Sequence, residues 1–180
     1  MIAASPSLAK QCLQSEPLGL EEIPGAIRAL VEYLHTGDYD DEDFDLDDWP
    51  DDFEMSSMAF NVYVHSLAQK YGISALALLA KARFEKLAIV QYWRKSFAHA
   101  VKEAYTRFAR HAIEIQQSMV KICCSTGSAL LAVLGPAGLT DEQLRVCESL
   151  CNLARDLPQL KQDLIAGLIM HAECALPKWV

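Results

Sequence analysis

The sequence predicts a mostly α fold, on three observations. Apolar residues recur every three or four positions along most of the chain. No stretch alternates apolar with polar residues. Proline, glycine and serine fall where helices would begin and end. At 180 residues, with 52% hydrophobic and 22% charged, the chain is long enough for one ordinary core or one core with an added helical layer. It is too apolar for global disorder.

The elements follow in order. Residues 18–20 make at most a short edge strand. Pro24 suits the first turn of a helix, where its missing N–H costs nothing. Ile27, Leu30, Val31 and Leu34 then share a face, and Gly37 ends the helix. Beyond an acidic stretch, Met58, Phe60, Val64, Leu67 and Tyr71 mark a second helix, capped by Ser56 or Ser57 and broken by Gly72. Ser74 is the expected cap of a third, with Leu76, Leu79, Ala80, Phe84 and Leu87 inward. Phe97, Val101, Ala104, Tyr105 and Phe108 form the stripe of a fourth, with Arg94, Lys95, Lys102 and Arg107 around it. A fifth covers about residues 112–123, and the small residues 127–138, with Pro136 among them, read as a break. Thr140 and Gln143 make a capping-box pair for a sixth helix, with Leu144, Cys147, Leu150, Cys151 and Ala154 on one face. Pro158 opens the last, followed by Leu160, Leu164, Ile165 and Leu168.

Charge is concentrated. The formal net charge is −8, and 11 of the 24 acids fall in residues 38–54, which hold no base. The remaining 13 acids stand against 16 Lys and Arg, so one insert carries the acidity. An acidic chain is repelled by a phosphate backbone, which argues against a nucleic-acid partner. The apolar run at 129–134 is far shorter than the roughly 20 residues of a membrane helix, so no membrane partner is expected. The first residues lack an apolar stretch behind a basic head. The six cysteines then read as reduced thiols of an intracellular protein, in cytoplasm or nucleus.

Two blocks carry a family resemblance. Residues 23–39, IPGAIRALVEYLHTGDY, resemble the mid-domain helix of fungal BTB/POZ proteins and its closing turn, through Val31, Tyr33, Leu34, Thr36, Gly37, Asp38 and Tyr39. His35 stands where an aromatic is usual. Residues 60–84, FNVYVHSLAQKYGISALALLAKARF, resemble the next pair of helices, through Tyr63, Ala68, Lys70, Tyr71, Gly72, Ile73, Leu76, Ala80 and Phe84. Residues 5–16 are similar to the helix that precedes them, and those after Trp93 to a C-terminal extension. BTB domains normally open with a helix and strands that build a small sheet and much of the homodimer surface. The matched residues begin after these. The resemblance therefore implies a truncated BTB/POZ-like helical core over residues 5–88, with an acidic insert at 38–54, then a helical extension over 91–176. It implies partner binding, extending in some members to substrate adaptors of cullin-type ubiquitin ligases, and no chemistry of its own.

Candidate sites are few. Asp43, Asp45, Asp47, Asp51 and Glu54 fall at ligand positions of a calcium-loop template. However, Asp48 stands where that loop needs glycine, and Pro50 where it needs an apolar residue. Phe44, Trp49 and Phe53 are instead aromatic anchors in acidic surroundings, suited to docking on a basic, grooved partner. Cys147 and Cys151 share a helix face, and His171 and Cys174 lie further on; four such ligands would hold zinc, but tight C-x-x-C spacing is absent. The neighbouring Cys123 and Cys124 read as core packing. No nucleophile elbow or phosphate loop is present. His35, His65, His99, His111 and His171 are scattered. His99, Arg107, Arg110 and His111 belong to a basic helical face.

The expectation is a non-enzymatic protein-interaction module with no cofactor and no bound metal. It binds a protein partner, and apolar helix surface left uncovered gives either weak self-association through a non-family surface or poor solubility. Its rivals are a metal-binding regulatory helical protein, using calcium or zinc, and a non-functional fragment of a longer BTB protein.

Overall fold

Residues 58–68 are buried without a break, and the other helices are arranged around them. The computed structural model describes residues 24–41, 56–134 and 140–175. Among the described residues there are seven helices and no strand. They are α1 (Pro24–Thr36), α2 (Ser57–Tyr71), α3 (Ser74–Gln91), α4 (Lys95–Tyr105), α5 (Ile113–Leu134), α6 (Asp141–Asp156) and α7 (Pro158–Ala175). The chain is mostly α-helical. α2 is the axis, with α1, α3 and α4 packed on it. α5 lies on α3 and α4, α7 lies on α5, and α6 bridges α7 and α4.

A helix enclosed on all sides is apolar all round, and α2 carries Met58, Phe60, Val62, Tyr63, Val64 and Leu67 on every face. Its Ser56 cap accepts the Ala59 N–H at 3.2 Å. Its exit is a Schellman turn. Gly72 takes φ +69, its N–H bonds to the Gln69 carbonyl, and the Ile73 N–H bonds to the Ala68 carbonyl at 2.8 Å. α3 folds back from that turn along α2. One core runs on through Phe97, Val101, Ala104, Ile115, Met119 and Leu160. The helices after residue 91 thus share the core of those before residue 88.

Several faces differ from those expected. On α1 the inward residues are Ala26, Ala29, Leu30 and Tyr33, while Val31 is exposed. Two alanines let α1 lie close to α2, and Val31 is turned away. Leu34 is only partly buried. Ser74 does not cap α3. Ile73 holds that position with no side-chain cap, because the Schellman turn has already placed the backbone. α5 continues through Gly127 to Leu134, since one glycine costs a packed helix only about 1 kcal/mol. On α6, Val146 is buried and Leu150, Leu153 and Ala154 pack on the core, whereas Leu144, Cys147 and Cys151 are exposed. Counting cysteine as apolar draws that stripe to the wrong side. On α7, Leu160 is buried but Ile165, Leu168, Ile169 and Met170 face outward. The segments at 5–16 and 18–20 lie outside the described residues.

Candidate functional site: the root of the acidic insert

The acidic insert begins inside the fold. α1 ends at Thr36, and Gly37 reverses the chain at φ +80, its N–H bonding to the Tyr33 carbonyl at 2.8 Å. The Thr36 hydroxyl donates to the Glu32 carbonyl at 2.9 Å and accepts the Asp38 N–H at 3.1 Å. This turn delivers Tyr39 into the core, where it is 2% exposed. The acidic insert read over 38–54 is thus held to the fold at its start, by Tyr39.

Arg83 of α3 holds that segment. Its guanidinium donates to Asp38 Oδ1 at 2.7 Å, to Asp41 Oδ1 at 3.3 Å and to the Tyr39 carbonyl. It also lies over the Tyr39 ring, 4.4 Å from the centroid. The Tyr39 hydroxyl donates to Asn61 Oδ1 in the centre of the fold. Burial, opposed by the Arg83 charge, pushes this phenol well above its ordinary range, so it stays protonated and keeps donating. The Asn61 amide nitrogen then donates to Asp41 Oδ2 at 2.8 Å and to the Ser57 carbonyl at 2.8 Å. Asp41 is the last described residue before the insert and Ser57 opens α2 after it. One side-chain amide thus ties both ends of residues 42–55. Beside this root is an open cavity of about 290 Å³ lined by Gly25, Arg28, Ala29, Glu32, Asp40 and Phe60.

Two further polar clusters are buried. Tyr63 donates to Glu103 Oε2 at 2.7 Å, Arg107 reaches the Tyr63 oxygen at 3.4 Å, and Phe108 meets the Tyr63 ring edge-on with centroids 4.6 Å apart. Burial and the Glu103 carboxylate hold the Tyr63 phenol protonated. His65 is fully enclosed and neither ring nitrogen has a hydrogen-bond partner. Glu114 Oε2 stands 3.8 Å away, too far for a hydrogen bond.

Among the residues singled out from the sequence, Tyr33, Tyr39, Tyr63, Tyr71, Ile73 and Leu76 are in the core. Gly37 and Gly72 are the two positive-φ turns. Lys70 is exposed, with its amine 5.6 Å from the Tyr71 ring centroid. Tyr39, with Thr36, Gly37 and Asp38 of the turn before it, belongs to the root. Phe44, Trp49 and Phe53 lie outside the described residues, as do Asp43, Asp45, Asp47, Asp51 and Glu54. The side chains of His171 and Cys174 do too. Among the described residues no group of three His, Cys, Asp or Glu is placed to hold a metal ion. Burial raises the Cys123 thiol to about 12, which suits packing. Arg83 and Asn61, the residues that build the root, were not singled out. Their signal was a polar side chain inside an apolar helical run, FNVYV for Asn61 and LLAKARF for Arg83.

Comparison with known proteins gives no match to a family model, to a curated protein or to a solved structure.

What the root can do follows from its geometry. Two carboxylates share one guanidinium, an amide closes the base, and a protonated phenol locks the amide. The arrangement fixes where an acidic segment leaves and re-enters the fold. No helix among the described residues is long and apolar enough to cross a membrane.

Proposed function

We propose that the chain is a protein–protein interaction module of BTB/POZ type, and that its acidic insert is the docking segment. The observation that carries this reading is the shared amide of Asn61, which binds Asp41 and Ser57. A segment closed at its base can be displayed without loosening the core that displays it. The composition of the insert agrees, since residues 42–54 contain Phe44, Trp49 and Phe53 among eight acids. Buried aromatics supply most of the energy of such contacts, and a run of acids speeds encounter with a basic surface. An intracellular setting, in cytoplasm or nucleus, goes with this reading. So, one step further, does a role as substrate adaptor of a cullin-type ubiquitin ligase.

The test is Trp49→Ala in the full chain. The melting temperature is expected to stay nearly unchanged, partner capture to weaken, and association to slow as salt rises. A melting temperature lowered by many degrees, with binding per folded molecule intact, makes the insert structural and ends the docking idea. Titration with a recombinant cullin N-terminal domain tests the adaptor role separately.

A further inference from the structure

Between Glu85 and Glu114 the sequence holds one acid, Glu103, against Lys86, Arg94, Lys95, Lys102, Arg107 and Arg110. Glu103 is 9% exposed and already accepts the Tyr63 hydroxyl, so it offers the solvent little charge. The cations are the reverse. Arg94, Lys95, Lys102, Arg107 and Arg110 are all exposed. Among the described residues, no carboxylate lies within ion-pair distance of any of the five. They are ordered along one element. Arg94 caps α4; Lys95 and Lys102, with His99 between them, follow at helical spacing; Arg107 and Arg110 stand on the turns just beyond. Eleven helical residues span about 16 Å at 1.5 Å each. At the Arg94 end the face turns apolar. The Arg94 guanidinium lies 5.1 Å from the Trp93 ring centroid, and Ile89 and Val90 are 65% and 66% exposed.

A basic strip ending in an apolar corner calls for an acidic segment with aromatic residues. Residues 42–54 of this chain have that composition, with eight acids, no base and three aromatics. We propose that the basic face of α4, from Arg94 to Arg110, receives the acidic insert of a second copy of this chain. This rests on the reading of the insert as a docking segment, and it names one partner for it. Each copy carries both halves of the contact, so two copies can exchange inserts in a closed pair. Tied at both ends, thirteen extended residues of about 45 Å contour reach outward by about half of that, roughly 22 Å, still more than the length of the helical strip. The net charge of −8 opposes the approach of two copies at long range, and salt screens exposed pairs beyond about 8 Å. The association is therefore weak and salt-sensitive.

The experiment is light scattering on the full chain in 50 mM and 500 mM salt, with Lys95→Glu/Lys102→Glu and Asp47→Lys/Asp51→Lys variants alongside. The wild type is expected to move from the 20.0 kDa monomer toward twice that mass in low salt and to revert in high salt. Each charge-reversed variant is expected to remain monomeric, with an unchanged helical spectrum. Mixing the two variants restores the pair, because each supplies the half the other has lost. A wild type that is monomeric in low salt overturns the proposal, as does a dimer indifferent to Lys95→Glu/Lys102→Glu. Binding of the basic face to anionic vesicles without self-association also overturns it. Partner capture that still depends on Trp49 in a monomeric wild type sinks only self-docking and leaves the wider docking reading standing.

Discussion

Arg83 bonds to three groups of one short segment, Asp38, the Tyr39 carbonyl and Asp41, and its loss releases all three at once. Hydrogen bonds to charged groups contribute roughly 1.5–3 kcal/mol when buried. This guanidinium and Asp41 are partly exposed and Asp38 more so, so Arg83→Ala is expected to cost about 1–2 kcal/mol in urea denaturation. Arg83→Lys recovers only part of that, because a single ammonium cannot reach both carboxylates and stack on the ring. Tyr39→Phe isolates the other half of the root. It leaves the Asn61 oxygen without its donor, at a cost of about 1–3 kcal/mol for an unsatisfied buried group. If neither variant shifts the urea midpoint, the root is not a structural fixture. Arg83 shows why such a residue is hard to read in a sequence. An arginine in a helix ordinarily points to solvent, and its partners lie more than 40 positions away. Tyr39 was legible because an aromatic directly after a glycine turn has few places to go but inward.

At the level of elements, the places where two helices meet were legible when a backbone rule enforced them. Gly72 is such a place, because a left-handed φ suits glycine whatever the neighbours. Gly72→Ala is expected to cost about 1–2 kcal/mol. The capping box of Thr140 and Gln143 is formed as read, for the same reason. Faces were harder. On α6 the two cysteines draw the apolar stripe to the wrong side, and on α7 both sides are apolar enough to be inward, so only the position of α5 decides between them. Gly167 makes the point. A Cβ there would stand 2.6 Å from Val120 Cγ1 and 3.0 Å from Cys124 Sγ, so α7 approaches α5 through this glycine. In an isolated helix Gly→Ala gains nearly 1 kcal/mol, while forcing a methyl into a packed contact costs about 1–3 kcal/mol. Gly167→Ala is therefore expected to destabilise despite its better propensity. A gain in thermal stability would show that α7 does not rest on α5 at this point.

At the scale of the whole molecule, the packing of several helices dictates the protonation state of His65. His65 lies on α2 within its unbroken buried run and has no exposed surface. Burial lowers its pKa from the ordinary 6.5, even though Glu114 from α5 pulls it upward, while Lys81 from α3 adds to the lowering. The His111 backbone beside it contributes a smaller upward pull. The neutral form is thus the folded form. In the unfolded chain the same residue takes up a proton near pH 6.5. Below that pH the unfolded state binds more protons than the folded one, so stability falls as pH falls. Above it the two states bind alike, and this contribution is constant. The comparison is His65→Phe against wild type, by urea denaturation from pH 8 to pH 5. Phenylalanine is close in size and removes two buried nitrogens that have no partner. Wild type is expected to lose stability progressively below about pH 6.5, while the variant stays flat across that range. Parallel curves would mean that the imidazole reaches water and that α2 is not enclosed as described.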